Sequence, residues 1–321
     1  MDSTAHWIWY PGDFSIHQGM LQNFAREERG MGWPAYWYID DCNRNINFSR
    51  TYDLDNPTDF TVYARGIGYV DINGKKFRLG ETLRCESGKN VITIFVGNPT
   101  GLPCVYIDGL VVKSDKGWQA SNFVSELPAG NDPLFTSKDQ NPNVIEYQKA
   151  ELNPTKVKEI DNGVLFDFGR AVNGSLKVKL HQIDEVTICY GESRTEALDV
   201  DMCYYKQESV DETTHIRKRA FRFVFIPNAK KDNINLIAIH EYIPKQNISD
   251  FQTDNPLINK IWNVSTETLN LCSDLFFIDG IKRDRWIWAG DAYQANFINQ
   301  YSFFNEEVDR RTLLALRGQD N

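Results

Sequence analysis

The chain has 321 residues, 41% hydrophobic and 25% charged, which is typical of a globular protein with a substantial core. Its 35 basic and 44 acidic residues give a net charge of −9, and this disfavours nucleic acid as the main partner because a phosphate-binding surface needs the opposite sign. No segment approaches the roughly 18 consecutive apolar residues that span a bilayer, so no membrane span is predicted.

The first residues, Met1–Phe14, lack the basic start and apolar centre of a signal peptide. Localisation therefore stays open between the cytoplasm and the periplasm or exterior, the latter after removal of a signal. The motifs HExxH, GxxxxGK(S/T) and GxSxG are absent, which disfavours metalloproteases, P-loop nucleotide hydrolases and serine esterases. No cofactor or metal site is predicted. Calcium stays an open alternative, because acidic loops such as Asp199–Met202 could bind it although the EF-hand pattern is missing.

Residues 1 to about 250 are predicted to be β-structure throughout, because short apolar or alternating runs are separated by Gly, Asn, Asp and Pro. Asn73-Gly74 predicts a type I′ hairpin turn, in which both central residues need positive φ. Such short, evenly spaced strands favour antiparallel sandwiches. The predicted strands are 59–65, 69–73, 90–96, 164–168, 175–180, 185–190, 220–226 and 234–239.

At about residue 250 the hydrophobic period changes to that of helices. Thr253 or Asp254 is expected to cap a first helix, Asp291 to begin a second, and Asn305 to precede a third that ends near Gly318. A softer stretch from Gly117 to Pro142 predicts a domain boundary. Three helices in about seventy residues form no closed unit by themselves. This predicts that they are the first helices of a larger helical domain.

The densest group of functional residue types lies between Asp279 and Asp291. It combines three carboxylates, three cations and two indoles within thirteen residues. Glycosidases use carboxylates to move protons, polar side chains to hold hydroxyl groups, and aromatic rings to cover the apolar face of a sugar. Two interpretations stay open at this point: a sugar-processing site, or a helix cap with surface ion pairs and packed tryptophans.

The motif Asp279-Gly-x-Lys-Arg-Asp-Arg-x-x-Trp-x-Gly-Asp291, after Asn255-Pro-Leu-Ile-Asn-Lys-Ile-Trp262, resembles the entry to the catalytic domain of bacterial α-L-rhamnosidases of glycoside hydrolase family 78. Further segments resemble the β domains of that family, and they are Tyr10–Asp13, Gly66–Gly74, Gly88–Ile92, Asp167–Gly169 and Tyr190–Ser193.

This resemblance implies a mainly β chain with two antiparallel β-sandwich domains, of galactose-binding-like or jelly-roll type, followed by the first helices of an (α/α)6 barrel. The expected domains are 1–125, 126–250 and an incomplete catalytic domain at 251–321. It also implies an inverting α-L-rhamnosidase-like hydrolase that removes terminal rhamnose from glycans or glycosides, as in bacterial polysaccharide degradation.

The resemblance implies that Asp284 is the general acid, and that Asp279, Arg283, Trp288 and Asp291 bind the rhamnose. The family usually has glutamate at the acid position, so aspartate shortens the arm by one methylene group. Inversion also needs a second carboxylate about 6.5–9.5 Å away to activate water. The resemblance places that base beyond residue 321, so the chain alone is expected to be inactive.

Several alternatives remain. Glu192 and Glu196 follow a strand and could substitute as catalytic groups or form a solvated turn. Asp40 and Asp41, after an aromatic run, could contribute to a sugar-binding surface. The whole chain could instead be a non-catalytic carbohydrate-binding protein, in line with its 13% aromatic content. Finally, apolar helix positions are expected to be exposed and to favour a homodimer, and they are Leu257, Ile261, Leu313 and Leu316.

Overall fold

The structure, a computed structural model, describes residues 4–24, 41–245, 249–282 and 284–318. The chain divides into two compact units, the first made of Met1–Ile145 with Asp309–Asn321 and the second of Glu146–Val308. In both units the strands pair in antiparallel sheets, which confirms the mainly β fold class. The domain limits given above stay a prediction.

The first unit is a sandwich of two sheets. One sheet has the strand order β11-β1-β8-β3-β6 and the other β10-β9-β2-β7-β4-β5. The strands are β1 Ile8–Trp9, β2 Asn45–Leu54, β3 Thr58–Arg65, β4 Ile67–Ile72, β5 Lys75–Arg78, β6 Thr82–Cys85, β7 Gly88–Gly97, β8 Cys104–Gly109, β9 Gln119–Ser121, β10 Glu126–Pro128 and β11 Gly130–Asn131.

Alternation along these strands builds the core of the first unit. On β7, Ile92, Ile94 and Val96 are fully buried, whereas the residues between them lie on the outer face. Both sheets contribute to one apolar cluster, as expected for a sandwich. The predicted hairpin is confirmed, because Asn73 and Gly74 both have positive φ, 54° and 86°.

The second unit is built on one seven-stranded antiparallel sheet. Six strands follow the order β12-β18-β14-β17-β15-β16, and β13 pairs with β14. The strands are β12 Gln148–Leu152, β13 Lys156–Ile160, β14 Gly163–Leu180, β15 Val186–Gly191, β16 Tyr205–Val210, β17 Arg219–Pro227 and β18 Ile234–Tyr242, with a 3-10 turn at Lys231–Asn233.

The long strand β14 differs from the prediction, which had two separate strands at 164–168 and 175–180. Its first half pairs with β13 and β17, and its second half pairs with β18. The register shifts between Asp167 and Val172, where an irregularity bends the strand. Residues from both halves of β14 enter the same apolar core, and both halves belong to one seven-stranded sheet. The second sandwich stays a prediction.

The helices are α1 Asp13–Phe24, α2 Arg194–Leu198, α3 Pro256–Leu271, α4 Ala289–Ser302 and α5 Glu306–Arg317. Helices α1 and α2 correct the expectation that residues 1 to 250 are β throughout. The cap of α3 is Asn255, not Thr253 or Asp254, because its side chain accepts the Leu257 N–H and Pro256 occupies the first helical position. Helix α4 begins before Asp291, with Trp288 at the cap position.

Helix α5 belongs to the first unit from Asp309 onward. Its Arg310 and Arg311 contact Asp132, which is fully buried, at 3.0 and 2.9 Å. Gly318, with φ of 70°, ends the helix as predicted, and its N–H donates to the Leu314 carbonyl.

The four apolar helix positions expected to be exposed are exposed, and they are Leu257, Ile261, Leu313 and Leu316. Homodimerisation through them stays a prediction, as does the (α/α)6 barrel. Among the described helices, none is both long and apolar enough to cross a bilayer.

Candidate active site

The loop between α3 and α4 is closed on itself by two hydrogen bonds. The Asp279 N–H donates to the Trp286 carbonyl at 3.0 Å, and the Trp286 N–H donates to Asp279 Oδ1 at 2.9 Å. Arg285 has a φ of 52°, a left-handed conformation that a non-glycine residue keeps only where its surroundings hold it. The two hydrogen bonds therefore join the two ends of the loop segment at Asp279 and Trp286.

Two apolar side chains of this loop pack in the core of the second unit. Ile281 is 7% exposed and packs in a cluster with Ala220 of β17 and Leu271 of α3. Ile287, further along the loop, is also buried. Because these two isoleucines point inward, the acidic and indole side chains between them are held at the surface, half-buried.

Lys282 ties the loop to helix α2. Its Nζ lies 2.5 Å from Glu196 Oε1 and 3.3 Å from Glu192 Oε2, and the Ser193 hydroxyl caps α2 by accepting the Glu196 N–H. Burial lowers the pKa of Lys282, but the hydrogen bond to Glu196 and the charges of both glutamates outweigh burial and raise it. The two glutamates considered as alternative catalytic groups thus hold a cation of the loop.

Arg285 makes a second attachment to the β-structure. Its Nη1 donates to the Lys218 carbonyl at 3.4 Å. Lys218 is itself fixed, because its Nζ lies 2.9 Å from Asp274 Oδ2 and 3.7 Å from the centroid of the Tyr147 ring. Lys282 and Arg285 therefore act as anchors of the loop.

Two carboxylates, Asp284 of the loop and Asp291 of α4, act electrostatically on Asp279. Burial raises the pKa of Asp279, and the nearby negative charges of Asp284 and Asp291 raise it further, against the hydrogen bonds from the Trp286 and Gly280 N–H groups. Asp284 is half-buried and Asp291 is exposed in the first turn of α4, where the helix dipole favours a negative charge. The fold thus brings together carboxylates that lie twelve positions apart in the sequence.

Four of the five sequence-predicted site residues lie in the described part of the chain, and Arg283 lies outside it. The four are Asp279, Asp284, Trp288 and Asp291. Trp288 is half-buried at the start of α4. Among these carboxylates, the raised pKa of Asp279 favours its protonated form, which can donate a hydrogen bond. The half-buried indole of Trp288 offers a flat apolar face of the kind that packs against sugar rings.

The sequence analysis missed the contact of Lys282 with Glu192 and Glu196. Ser193 and Glu196 have the spacing of a capping box, a signal that identifies helix α2. The contact with Lys282 itself has no local signal, because it joins residues far apart in the chain.

The remaining acidic candidates lie elsewhere. Asp41 forms an ion pair with Arg44 in the first unit, and Asp40 lies outside the described residues. At the acidic loop Asp199–Met202, the Asp199 carboxylate accepts the Met202 N–H at 3.1 Å. Within the described ranges, no group of three or more His, Cys, Asp or Glu side chains is arranged to hold a metal ion.

Comparison with known proteins gives one family match. The family described as "Alpha-rhamnosidase-like, bacteroidetes, N-terminal" matches residues 46–126 and 128–226, which is more than half of the chain. The matched residues cover strands of both units and end before α3, so the candidate loop lies outside the match. No curated protein matches the chain.

Three solved structures illustrate the similarity. The α-L-rhamnosidase of Dictyoglumus thermophilum has 15% identity and a TM-score of 0.42 over 84% of this chain and 40% of that chain. The Streptomyces avermitilis α-L-rhamnosidase complexed with L-rhamnose has 14% identity and a TM-score of 0.42 over 87% and 36%. The Klebsiella oxytoca rhamnosidase with rhamnose bound has 20% identity and a TM-score of 0.42 over 53% and 44%. The chain thus spans about two fifths of the length of these enzymes.

Proposed function

Because this chain belongs to the alpha-rhamnosidase-like, bacteroidetes, N-terminal family, we propose that it is the N-terminal part of an inverting glycoside hydrolase that removes terminal α-L-rhamnose from glycans or glycosides. The family relates the chain to glycoside hydrolases. The observation that carries the catalytic part of the proposal is that the charges of Asp284 and Asp291 act on Asp279, which is hydrogen-bonded to Trp286 across the loop.

In this proposal Asp284 is the general acid that protonates the departing glycosidic oxygen. It is half-buried, it lies within the closed segment from Asp279 to Trp286, and its charge acts on Asp279. An aspartate arm is one methylene group shorter than a glutamate arm, so the loop backbone must lie closer to the substrate. The two attachments of the loop, through Lys282 and Arg285, supply the rigidity that this closer approach requires.

The other predicted site residues are proposed to bind the rhamnose. Asp279 and Asp291 offer carboxylate oxygens to sugar hydroxyl groups, and Arg283 offers a guanidinium group. Trp288 offers an indole face to the apolar side of the ring. Asp279 has a second role in this proposal, because its Oδ1 accepts the Trp286 N–H and so keeps the loop closed.

An inverting mechanism needs a general base about 6.5–9.5 Å from the acid, on the opposite side of the sugar. Since the chain spans about 40% of the Dictyoglumus thermophilum enzyme, we propose that another segment of a longer protein supplies this base. The chain by itself then holds the acid side of the site and is inactive.

The test is hydrolysis by the protein encoded by the full reading frame, with Asp284→Asn as the variant. Two α-L-rhamnosides are compared, one with a sugar as the leaving group and one with 4-nitrophenol. A general acid contributes about 10²–10⁴-fold. We expect a loss of this size on the sugar substrate and a much smaller loss on the nitrophenyl substrate, whose leaving group needs little protonation.

Two further variants separate the roles. Asp279→Asn is expected to lower activity on both substrates alike, because a binding residue acts regardless of the leaving group. Asp254→Asn, an exposed carboxylate just before α3, is the matched control and is expected to leave both activities unchanged. Equal losses of the Asp284→Asn variant on the two substrates would remove Asp284 from the acid role.

A further inference from the structure

A row of aromatic rings, two half-buried and one exposed, crosses the outer face of the first unit. Tyr69 of β4 lies directly opposite Phe95 of β7, and their ring centroids are 5.7 Å apart. Phe123, in the turn between β9 and β10, continues the row 6.3 Å from Phe95. The neighbours of Tyr69 and Phe95 along the strands, such as Val70 and Ile94, are fully buried, so the rings lie on the side away from the core. We call Tyr69, Phe95 and Phe123 the aromatic strip.

The backbone holds Phe123 in an unfavourable conformation. Its φ is 70°, and its side chain is 64% exposed. The Ser121 hydroxyl accepts the Phe123 N–H at 3.1 Å, and Asn122 Oδ1 accepts the N–H groups of Val124 and Ser125. A strained turn that presents a large apolar side chain to solvent gains no core packing from it, so the strain points to a binding role.

One end of the aromatic strip is bordered by cations of the edge strand β5. Lys76 Nζ lies 4.3 Å from the centroid of the Tyr69 ring, and Arg78 pairs with Tyr69 in the strand register. Within the described part of the chain, neither cation forms an ion pair. Asp71, opposite Lys76, accepts the Gly74 N–H at 2.7 Å. Two exposed cations are therefore available beside a ring.

We propose that the aromatic strip with Lys76 and Arg78 binds an acidic oligosaccharide. Pyranose rings stack on Phe123 and Phe95, and a sugar carboxylate meets Lys76 and Arg78 beside Tyr69 at the β5 end. The aromatic faces account for the affinity for sugar rings and the cations select for negative charge. Asn47, which lies opposite Phe95 in the strand register, adds a side-chain amide beside the aromatic strip. This surface goes beyond the proposed catalytic role and does not depend on it.

The experiment is isothermal titration of the 321-residue protein with a trimer of galacturonic acid and with its methyl-esterified form, which is neutral. We expect the acidic trimer to bind and the ester to bind at least about tenfold more weakly. Phe123→Ala is expected to weaken binding of the acid about tenfold, whereas Phe123→Tyr, which keeps the ring, retains it. The double variant Lys76→Ala/Arg78→Ala is expected to bind the acid and the ester alike.

Matched controls lie next to the tested residues. Val124→Ala changes an exposed residue of the same turn, and Lys75→Ala removes a cation from the same strand, one position away from Lys76 and on the opposite face. Both are expected to bind as the unaltered protein does. Circular dichroism verifies that each variant is folded.

Asp284→Asn, which removes the proposed general acid, is also expected to leave binding of the acidic trimer unchanged. The binding proposal can therefore fail while the catalytic proposal holds, and the reverse. No binding of either trimer, equal binding of acid and ester, or undiminished binding by folded Phe123→Ala would each overturn the proposal.

Discussion

Replacement of Asp132 is expected to destabilise the first unit strongly. Its side chain is fully buried, and its Oδ2 accepts hydrogen bonds from Arg310 Nη2 at 3.0 Å and Arg311 Nη1 at 2.9 Å. Its Oδ1 accepts the Leu134 N–H at 3.0 Å. One carboxylate therefore joins a loop of the sandwich to helix α5.

The substitution Asp132→Asn keeps the shape of the side chain and removes its charge. Arg311 is 2% exposed, and removal of one partner of such a buried ion pair costs about 3–5 kcal/mol. Arg310 is 40% exposed, so Arg310→Ala is expected to cost only about 0.2–1 kcal/mol. For a unit of this size, the loss in Asp132→Asn corresponds to a fall in Tm of about 6–20 °C.

Native-state hydrogen exchange read by mass spectrometry is the suitable assay, because peptides from the two units are followed separately. Protection of strands β3, β7 and β8 is expected to fall in Asp132→Asn, and the strands of the second unit serve as an internal reference. A double variant, Asp132→Leu with Arg311→Met, is expected to recover part of the loss, since it replaces the pair by apolar groups. A cost below about 1 kcal/mol for Asp132→Asn, or equal costs for Arg310→Ala and Arg311→Ala, would refute this reasoning.

Two further predictions concern single side chains. Lys282→Met removes the contacts with Glu196 and Glu192; because this pair is partly exposed, stability is expected to change by less than about 1 kcal/mol. If the proposed hydrolase activity holds, the kcat of the full-length protein is expected to fall about 10–100-fold in Lys282→Met as the loop shifts. Loss of activity explained entirely by a lower Tm would contradict this positioning role. Burial raises the pKa of Asp13 to about 7, against hydrogen bonds from Asn43 that lower it, so folding favours the protonated carboxyl group. Stability of the first unit is therefore expected to fall as the pH rises from about 4 to about 7 and to level off above, a slope that thermal unfolding of Asp13→Asn should lack.

The strands were predictable because their signals are local. Alternation predicted a strand at 59–65, and the structure has it at Thr58–Arg65; the predicted 90–96 lies within Gly88–Gly97. The turn at Asn73-Gly74 follows from the φ angles that it requires. The family resemblance read from short motifs is also confirmed by the family match.

The candidate loop was predictable in composition but not in its attachments. The sequence places three carboxylates near one another, whereas the contact of Lys282 with Glu196 depends on how the sheet places α2. The same limit applies to Asp132 and Arg311, which are 179 residues apart. Local sequence patterns do not predict such long-range contacts, because the side chains come together only when the sheets form.

The first unit is discontinuous along the chain, since its final helical segment follows the whole of the second unit. Asp132 precedes Arg310 by 178 residues. At about 5–20 residues per second, the ribosome needs about 9–36 s to make the stretch between them. During that interval the nascent first unit lacks the two arginines that pair with Asp132, and the translation speed across the second unit sets how long this incomplete state lasts.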